Sequence, residues 1–567
     1  MQARPVVRRA EPRQTAQVRF TDGRIYEAPL GTTLETYIKD IDFDLPAPIV
    51  AAHINGELRE LTYHIVADST VKPITMADSD GMRIYRRSLA FLMVTVAEEL
   101  FPDAQVVIDY ALNFGGFYCE LRGRLSFTPE ELTRIEKGMR ELVDADIPIG
   151  KKRVPLDEAL AYFEAKGHTD KINLLKVRKK DYLTLYTLAE AKDYYHGYMV
   201  PSTGYLQEFA LRPYGPGFVL QYPRRELPTV IQKTVDYPKL VAVFNEYREW
   251  MDVMGVPDVG ALNDTHEAGR LREVILVSEA LHEQRIARIA SDIAEQHPYV
   301  RLVLIAGPSS SGKTTFSKRL SIQLLAHGIR PTALALDDFF VSREDTPRDE
   351  RGDYNFESLY ALDLPLFNEV LLRLMDLEKV TLPRFNFIKG ARETGETIHI
   401  SQDHVIIIEG IHGMNPELVR DIPPQLIYRV YVSALTQLNI DQHNRVPTTD
   451  TRLLRRIVRD ATYRGYSASE TIKRWESVRQ GEKRWIFPYQ EHAGVMFNSA
   501  LVYELAVLKP FAEPLLLQVK PRTSEHIEAK RLLSFLEWFV PITPDLIPDN
   551  SILREFIGDS ILRDYLP

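Results

Sequence analysis

The residues best suited to chemistry lie in one short run, Gly307-Pro308-Ser309-Ser310-Ser311-Gly312-Lys313-Thr314, which fits the pattern G-x-x-x-x-G-K-[ST]. Glycines let such a loop turn its N–H groups inward onto phosphate oxygens, and a helix opening behind it adds positive potential. In that geometry Lys313 spans the β- and γ-phosphates of ATP and Thr314 ligates Mg2+. Gly307, Ser309, Ser310, Ser311, Gly312 and Thr315 complete the cradle. Asp337 and Asp338 follow the next apolar run, and Glu409 ends the most apolar one. A carboxylate at the first place accepts the proton of an attacking hydroxyl; one at the second holds Mg2+ or its water. The plainer alternatives are a turn capped by Asp337 and a helix capped by Glu409. Arg452, Arg455, Arg456, Arg459 and Arg464 fall mainly at three- and four-residue spacings, so a helix starting near Asp450 presents several guanidiniums along one side. Such a face closes over phosphates as a lid, stays solvated, or binds nucleic acid.

These groups need a frame. Short apolar runs at 302–306, 332–336, 405–408, 426–432 and 501–505 alternate with amphipathic stretches, the pattern of buried strands in a parallel α/β sheet. The first run leads into the glycine loop, and a helix is expected behind it as far as His327, before Gly328. Upstream, residues 231–298 read as a helical connector, with Leu271, Val274, Leu281, Ile286, Ile289 and Ile293 at helical spacing. Residues 16–78 read as a small β-rich unit: Val18 and Phe20 alternate with polar residues, Asp22-Gly23 and Asn55-Gly56 offer tight turns, and a short helix fits 33–40.

Length and composition set the outer limits. A chain of 567 residues exceeds one ordinary core and implies three or four domains, with globular usage at 45% apolar and 26% charged. The net charge of −9 argues against a nucleic acid or an anionic membrane as the overall partner. A single cysteine, Cys119, excludes an intrachain disulfide and a cysteine-rich zinc site and fits a reducing cytoplasm. No stretch of about 18 apolar residues occurs. Arg4, Arg8, Arg9 and Arg13 make residues 1–15 a basic arm, expected to be disordered and not a secretory signal.

Several motifs in order give a resemblance. The glycine loop, Asp337-Asp338-Phe339-Phe340, Tyr354-Asn355-Phe356-Glu357, Leu382-Pro383-Arg384-Phe385-Asn386-Phe387, Ile408-Glu409-Gly410 and the arginine series through Arg464-Gly465 resemble the uridine kinase and phosphoribulokinase family. The likeness covers 299–510. It implies a P-loop kinase domain that uses ATP and Mg2+, with Asp337 as catalytic base beside Lys313. It places Thr314 and Glu409 on the Mg2+ side and Arg455, Arg456 and Arg459 on an ATP lid. It draws the acceptor site from Asp338, Glu357, Phe385, Phe387, Arg392, Arg452, Arg464 and Arg474, with Glu357 at the ribose hydroxyls. Ahead of it, residues 16–78 resemble the TGS β-grasp domain of threonyl-tRNA synthetases. Residues 79–230, with Arg86-Arg87-Ser88, Leu100-Phe101-Pro102-Asp103, Gly115-Gly116-Phe117-Tyr118 and Val200-Pro201-Ser202-Thr203-Gly204, resemble their second additional, editing domain. The fold class implied is multidomain α/β, closed by a helical appendage at 511–567.

The departures from those families carry information. The pyrimidine-reading histidine position is Gly390, and a glutamine position is Arg474, so the acceptor stays open between a nucleoside 5′-hydroxyl and another small hydroxyl compound such as a sugar phosphate. The His-x-x-x-His and Cys-x-x-x-His pairs of the editing site are here Arg87, Phe91, Tyr195 and Met199, which cannot hold a metal or move a proton. No editing is expected from that domain. RNA contact through the front half, as in a regulator with an ATP switch, and assembly into a homo-oligomer stay open.

Overall fold

The computed structural model describes residues 12–348, 352, 354–355, 357–386 and 389–565. Residues 1–11 of the expected basic arm and the expected acceptor residue Phe387 lie outside the described residues.

The chain begins with β1 (Thr15–Phe20), β2 (Ile25–Pro29), α1 (Leu34–Lys39), β3 (Ile49–Ile54), β4 (Glu57–Glu60) and β5 (Ser69–Thr75). In β1 Ala16, Val18 and Phe20 are buried while Gln17 and Arg19 are exposed, the period of a strand with one face on a core. The sheet runs β2-β1-β5-β3-β4 with β1 and β5 parallel. Asn55 at φ 52° and Gly56 at φ 83° turn β3 into β4, the left-handed pair that a two-residue hairpin needs.

Next come α2 (Ser79–Leu100), β6 (Gln105–Leu112), β7 (Gly116–Arg122), α3 (Pro129–Asp144), β8 (Gly150–Pro155), α4 (Leu156–Lys166), α5 (Thr169–Lys176), β9 (Tyr182–Leu188), β10 (Ala191–Asp193), β11 (Ala210–Tyr214) and β12 (Gly217–Gln221). They form two antiparallel sheets, β11-β12-β7-β6 and β10-β9-β8, and α2 contributes Leu89, Phe91 and Leu92 to their core. Three helices follow, α6 (Pro238–Met254), α7 (Val259–Glu267) and α8 (Leu271–Gln296).

The last part contains β13 (Leu302–Ala306), α9 (Lys313–Ala326), β14 (Arg330–Ala335), α10 (Leu364–Met375), the hairpin β15 (Val380–Asn386) and β16 (Ala391–Ile398), β17 (His404–Gly410), β18 (Ile427–Ser433), α11 (Thr448–Tyr463), α12 (Ala468–Trp485), β19 (Val495–Asn498), α13 (Glu504–Leu517), α14 (Ser524–Leu536) and α15 (Arg554–Ile557). Its sheet, β14-β17-β13-β18-β19, is parallel throughout. The strands are apolar on both faces, and their alternation divides them between two cores. Val303, Ile305, Ile407 and Val430 pack with α8, α9 and the C-terminal helices, whereas Leu302, Leu304, Ile406 and Ile408 pack with α10. Among the described residues no helix is long and apolar enough to cross a membrane.

Two expectations need correction. The apolar run at 501–505 is not a strand: the edge strand is β19, and α13 starts at Glu504, buried around most of its circumference. A short apolar run does not separate a buried strand from a buried helix turn. The break expected at 510 also fails, because α13 continues through Pro510 and Pro514.

Candidate active site

The glycine loop leaves the C-terminal end of the central strand β13 and closes at the first turn of α9. Gly307 sits so close to β18 that a Cβ would lie 1.9 Å from the Val432 carbonyl oxygen. Ser310 at φ 58° and Gly312 at φ 82° take left-handed backbone, which curls the loop into a cradle. The hydroxyls of Ser310 and Ser311 are buried with no hydrogen-bond partner among the described residues, as a cradle awaiting phosphate oxygens requires. Lys313 folds over the loop, donating to the Pro308 carbonyl at 3.1 Å. Burial pushes its ammonium below the ordinary lysine range, against the pull of Glu409 and Glu555.

Thr314 donates its hydroxyl to Glu409 Oε1 at 3.0 Å, joining the loop to the end of β17. Burial raises the Glu409 carboxyl, and Lys313 opposes that rise. A hydroxyl and a carboxylate side by side on the phosphate side of a P-loop are the oxygen donors Mg2+ takes, so the residues present fit both ATP and Mg2+.

Two further carboxylates reach the loop. Glu482 of α12 accepts the Ser309 N–H at 3.1 Å, and Glu555 of α15 accepts both the Thr315 N–H at 3.1 Å and the Thr315 hydroxyl at 3.0 Å. These donors belong to the loop and to the first turn of its helix, so both glutamates stand where phosphate oxygens would compete. Sequence reasoning missed both. Glu555 lies in the segment 511–567, expected only as a helical appendage.

The arginine helix does not present one open face. Arg452 is buried, paired through both terminal nitrogens with Glu482, and donates Nε to the Ser309 carbonyl at 3.2 Å. Arg455 is buried between Glu504 at 2.6 Å and the Ser499 carbonyl at 2.8 Å. Arg452 thus fixes Glu482 against the loop, and Arg455 braces the loop through the Ser310 carbonyl at 3.4 Å. Arg456, Arg459 and Arg464 gather on buried Asp460, and Arg456 also donates to the Ser309 hydroxyl at 2.9 Å. Burial lowers Arg456 and Arg464, with the neighbouring guanidiniums adding to the effect.

After β14 a short turn, Leu336–Phe339, carries the exposed Asp337. Desolvation raises its carboxyl, and Asp338 adds to that rise. Asp338 points away to accept the Phe385 N–H at 3.1 Å, fixing β15. Phe385 itself is buried against Phe340, at 5.6 Å between ring centroids, so it builds the wall's core rather than its surface. Gly390, at φ 66°, closes the hairpin with the Arg343 side chain against it, where a Cβ would lie 2.9 Å from Nε. Arg392 pairs with Asp363 at 2.8 Å. Glu357 lies against Gly481 of α12, where a Cβ would come within 2.9 Å of its Oε2, and burial raises its carboxyl. Arg474 is exposed, with its guanidinium over Tyr466 at 4.4 Å. It is seven residues before Gly481, roughly 10 Å along the helix axis.

Residues 302–505 match the model of the Phosphoribulokinase / Uridine kinase family. This region is a kinase-family domain. Among solved structures, the kinase domain is similar to a possible uridine kinase from Bacillus stearothermophilus, with 22% identity, 38% of this chain and 98% of that chain covered, and a TM-score of 0.26. A putative fructose transport system kinase from Silicibacter sp. TM1040 shows 19% identity, 37% and 98% coverage and a TM-score of 0.28. The part ahead of the kinase domain is similar to threonine–tRNA ligases. That of Janthinobacterium sp. (strain Marseille) is 37% identical over 195 residues, 34% of this chain and 31% of the ligase. That of Coxiella burnetii is 31% identical over 195 residues, 34% of this chain and 30% of the ligase. The chain spans about a third of the length of these relatives.

Arg87, Phe91, Tyr195 and Met199, the four positions expected to stand in place of editing pairs, do come together. Phe91 and Tyr195 have ring centroids 5.2 Å apart, Ser88 donates to Met199 Sδ at 3.3 Å, and Arg87 donates to the Tyr198 carbonyl at 2.7 Å. The kinase domain covers them. His443 stacks on Tyr195, and Asn444 accepts the His196 N–H at 2.8 Å. Beneath this contact buried Lys171 lies between Asp193 at 2.9 Å and Asp441 at 3.3 Å, and His443 meets Asp193 at 2.6 Å.

Proposed function

We propose that the kinase domain transfers the γ-phosphoryl group of ATP, with Mg2+, to the 5′-hydroxyl of a nucleoside. The observation that carries this reading is the 3.0 Å contact of Thr314 with Glu409, a hydroxyl and a carboxylate of the kind Mg2+ takes, next to Lys313 in the loop. In this reading Asp337 receives the acceptor's proton. Its raised carboxyl brings a base of ordinary acid strength closer to neutral pH, where proton acceptance and the driving force for transfer are better balanced. Lys313 and the loop amides stabilise charge on the transferring group, and bound Mg2+ neutralises charge across the β- and γ-phosphates. Glu357, half-buried beside α12, is suited to the ribose hydroxyls.

One observation favours a second acceptor class. With Phe385 in the core and Gly390 pressed against Arg343, two of the positions expected to read a pyrimidine offer no hydrogen bond to one. A small sugar or sugar phosphate demands less of that wall. In the same reading residues 16–78 and 79–230 are a scaffold in the cytoplasm, docked through the Lys171 cluster, and RNA contact is the less supported role.

Measuring ATP consumption by the full chain against a panel of nucleosides and sugar phosphates separates the two. The first reading expects turnover with at least one nucleoside. Turnover confined to sugar compounds transfers the assignment to the second, and none with any hydroxyl acceptor removes both.

A further inference from the structure

A cavity of about 650 Å3 lies between the synthetase-like part and the kinase domain, at the start of α11 and beside α12. Arg86, Phe114 and Tyr222 line it from one side, and Arg445, Trp475 and Arg479 from the other. That volume lies within the range of small-molecule sites.

Its charge is unbalanced. Arg83 is matched by Asp80 and Glu528, Arg225 by Glu476, and Lys483 by Glu226. Arg86 and Arg445 have no carboxylate partner among the described residues. Their guanidiniums lie 5.7 and 5.4 Å from the centroid of one ring, Phe117, and Arg445 is tied only through Nε to the Asp109 carbonyl at 2.9 Å. Burial, with Arg86 adding to it, pushes Arg445 down to about 10. Exposed Lys233 stands at the rim.

The first turn of α11 opens into the same space. Thr448 and Thr449 line the cavity, the helix begins after Pro447, and no side chain caps it. The one acidic side chain of that turn, Asp450, is engaged by Arg531 at 2.6 and 2.9 Å. Two uncompensated guanidiniums facing an uncapped sixteen-residue helix make a phosphate site. We propose that this cavity binds a small phosphorylated molecule of about nucleoside-phosphate size, its phosphate held by Arg86, Arg445 and the start of α11, separately from the P-loop. Arg452 and Arg479 line the cavity and both reach Glu482, at the Ser309 N–H, which gives the ligand a route to the loop.

Calorimetric titration of the full chain with inorganic pyrophosphate tests this. Two sites are expected. Lys313→Ala removes the P-loop site and leaves the other; Arg86→Ala does the reverse. Lys233→Ala, at an exposed side chain that the fold does not depend on, weakens only the second site, by about two- to five-fold. This variant decides the matter if Arg86→Ala does not fold. A single site abolished by Lys313→Ala and unmoved by Arg86→Ala and Lys233→Ala overturns the proposal, as does the absence of any binding outside the P-loop.

Discussion

Glu555 accepts hydrogen bonds from both the backbone N–H and the hydroxyl of Thr315, 240 residues earlier in the chain. The C-terminal segment therefore puts a carboxylate on donors that a P-loop offers to phosphate. Ile552 packs beside it, so close to Gly312 that a Cβ there would lie 2.7 Å away. ATP must displace this carboxylate or bind against its charge.

Glu555→Gln keeps the volume and removes the charge. The affinity for ATP is expected to rise about three- to ten-fold, since a charge-assisted hydrogen bond contributes about 1.5–3 kcal/mol and Gln retains part of it. Equilibrium binding of a non-hydrolysable ATP analogue reads this directly. Weaker binding by the variant shows instead that Glu555 supports the bound state.

Thr314→Val removes the hydroxyl that meets Glu409. The Mg2+ concentration for half-maximal activity is expected to rise by at least about 10-fold, with the ATP affinity measured without metal little changed. An unchanged Mg2+ requirement argues that the ion sits elsewhere.

Lys171 is buried between Asp193 and Asp441 at the contact of the two halves. Its loss leaves the buried Asp193 and Asp441 carboxylates with only His443 beside them. Lys171→Ala is expected to cost about 3–5 kcal/mol in urea unfolding, by the usual penalty for breaking a buried pair. A cost below about 1 kcal/mol contradicts the role given to the cluster.

Buried histidines set an acid limit. Burial lowers His282 to about 3 and His412 to about 4, below the ordinary 6.5. As pH falls the unfolded chain takes up these protons first, so their contribution is present above about 6.5 and is lost toward 4 and 3. Each is worth about 1.4 kcal/mol per pH unit in that window, roughly 3 kcal/mol per unit together. Stability from denaturant unfolding at pH 7.5 and 5.5 is expected to differ accordingly, and His282→Gln should cut the difference by about half. Equal stability at the two pH values counts against this.

The legible parts of the fold are those whose chemistry is local. Gly307, Gly312, Lys313 and Thr314 announce a loop between strand and helix because each needs its neighbours in sequence. Alternation in β1 and the Asn55-Gly56 turn are equally local. Glu482 and Glu555 were not legible, since they meet Ser309 and Thr315 across 173 and 240 residues and no pattern near them marks that partner. The arginine spacing on α11 gave a helix but not its environment: whether a guanidinium faces solvent or Glu504 depends on α13, which the sequence pattern did not place. Phe385 shows the same limit, because an alternating strand does not say which of its faces is the core.

The central claim is that Asp337 serves as base in phosphoryl transfer from a P-loop holding ATP. Transfer from γ-labelled ATP to the acceptor found in the panel, by the full chain and by Asp337→Asn, tests it most directly when ATP binding is measured in parallel. The account predicts labelled acceptor with the parent chain, unchanged ATP binding in the variant, and transfer reduced by about 10²–10⁴-fold. Equal transfer by the two proteins, or no labelled acceptor from the parent chain, contradicts it.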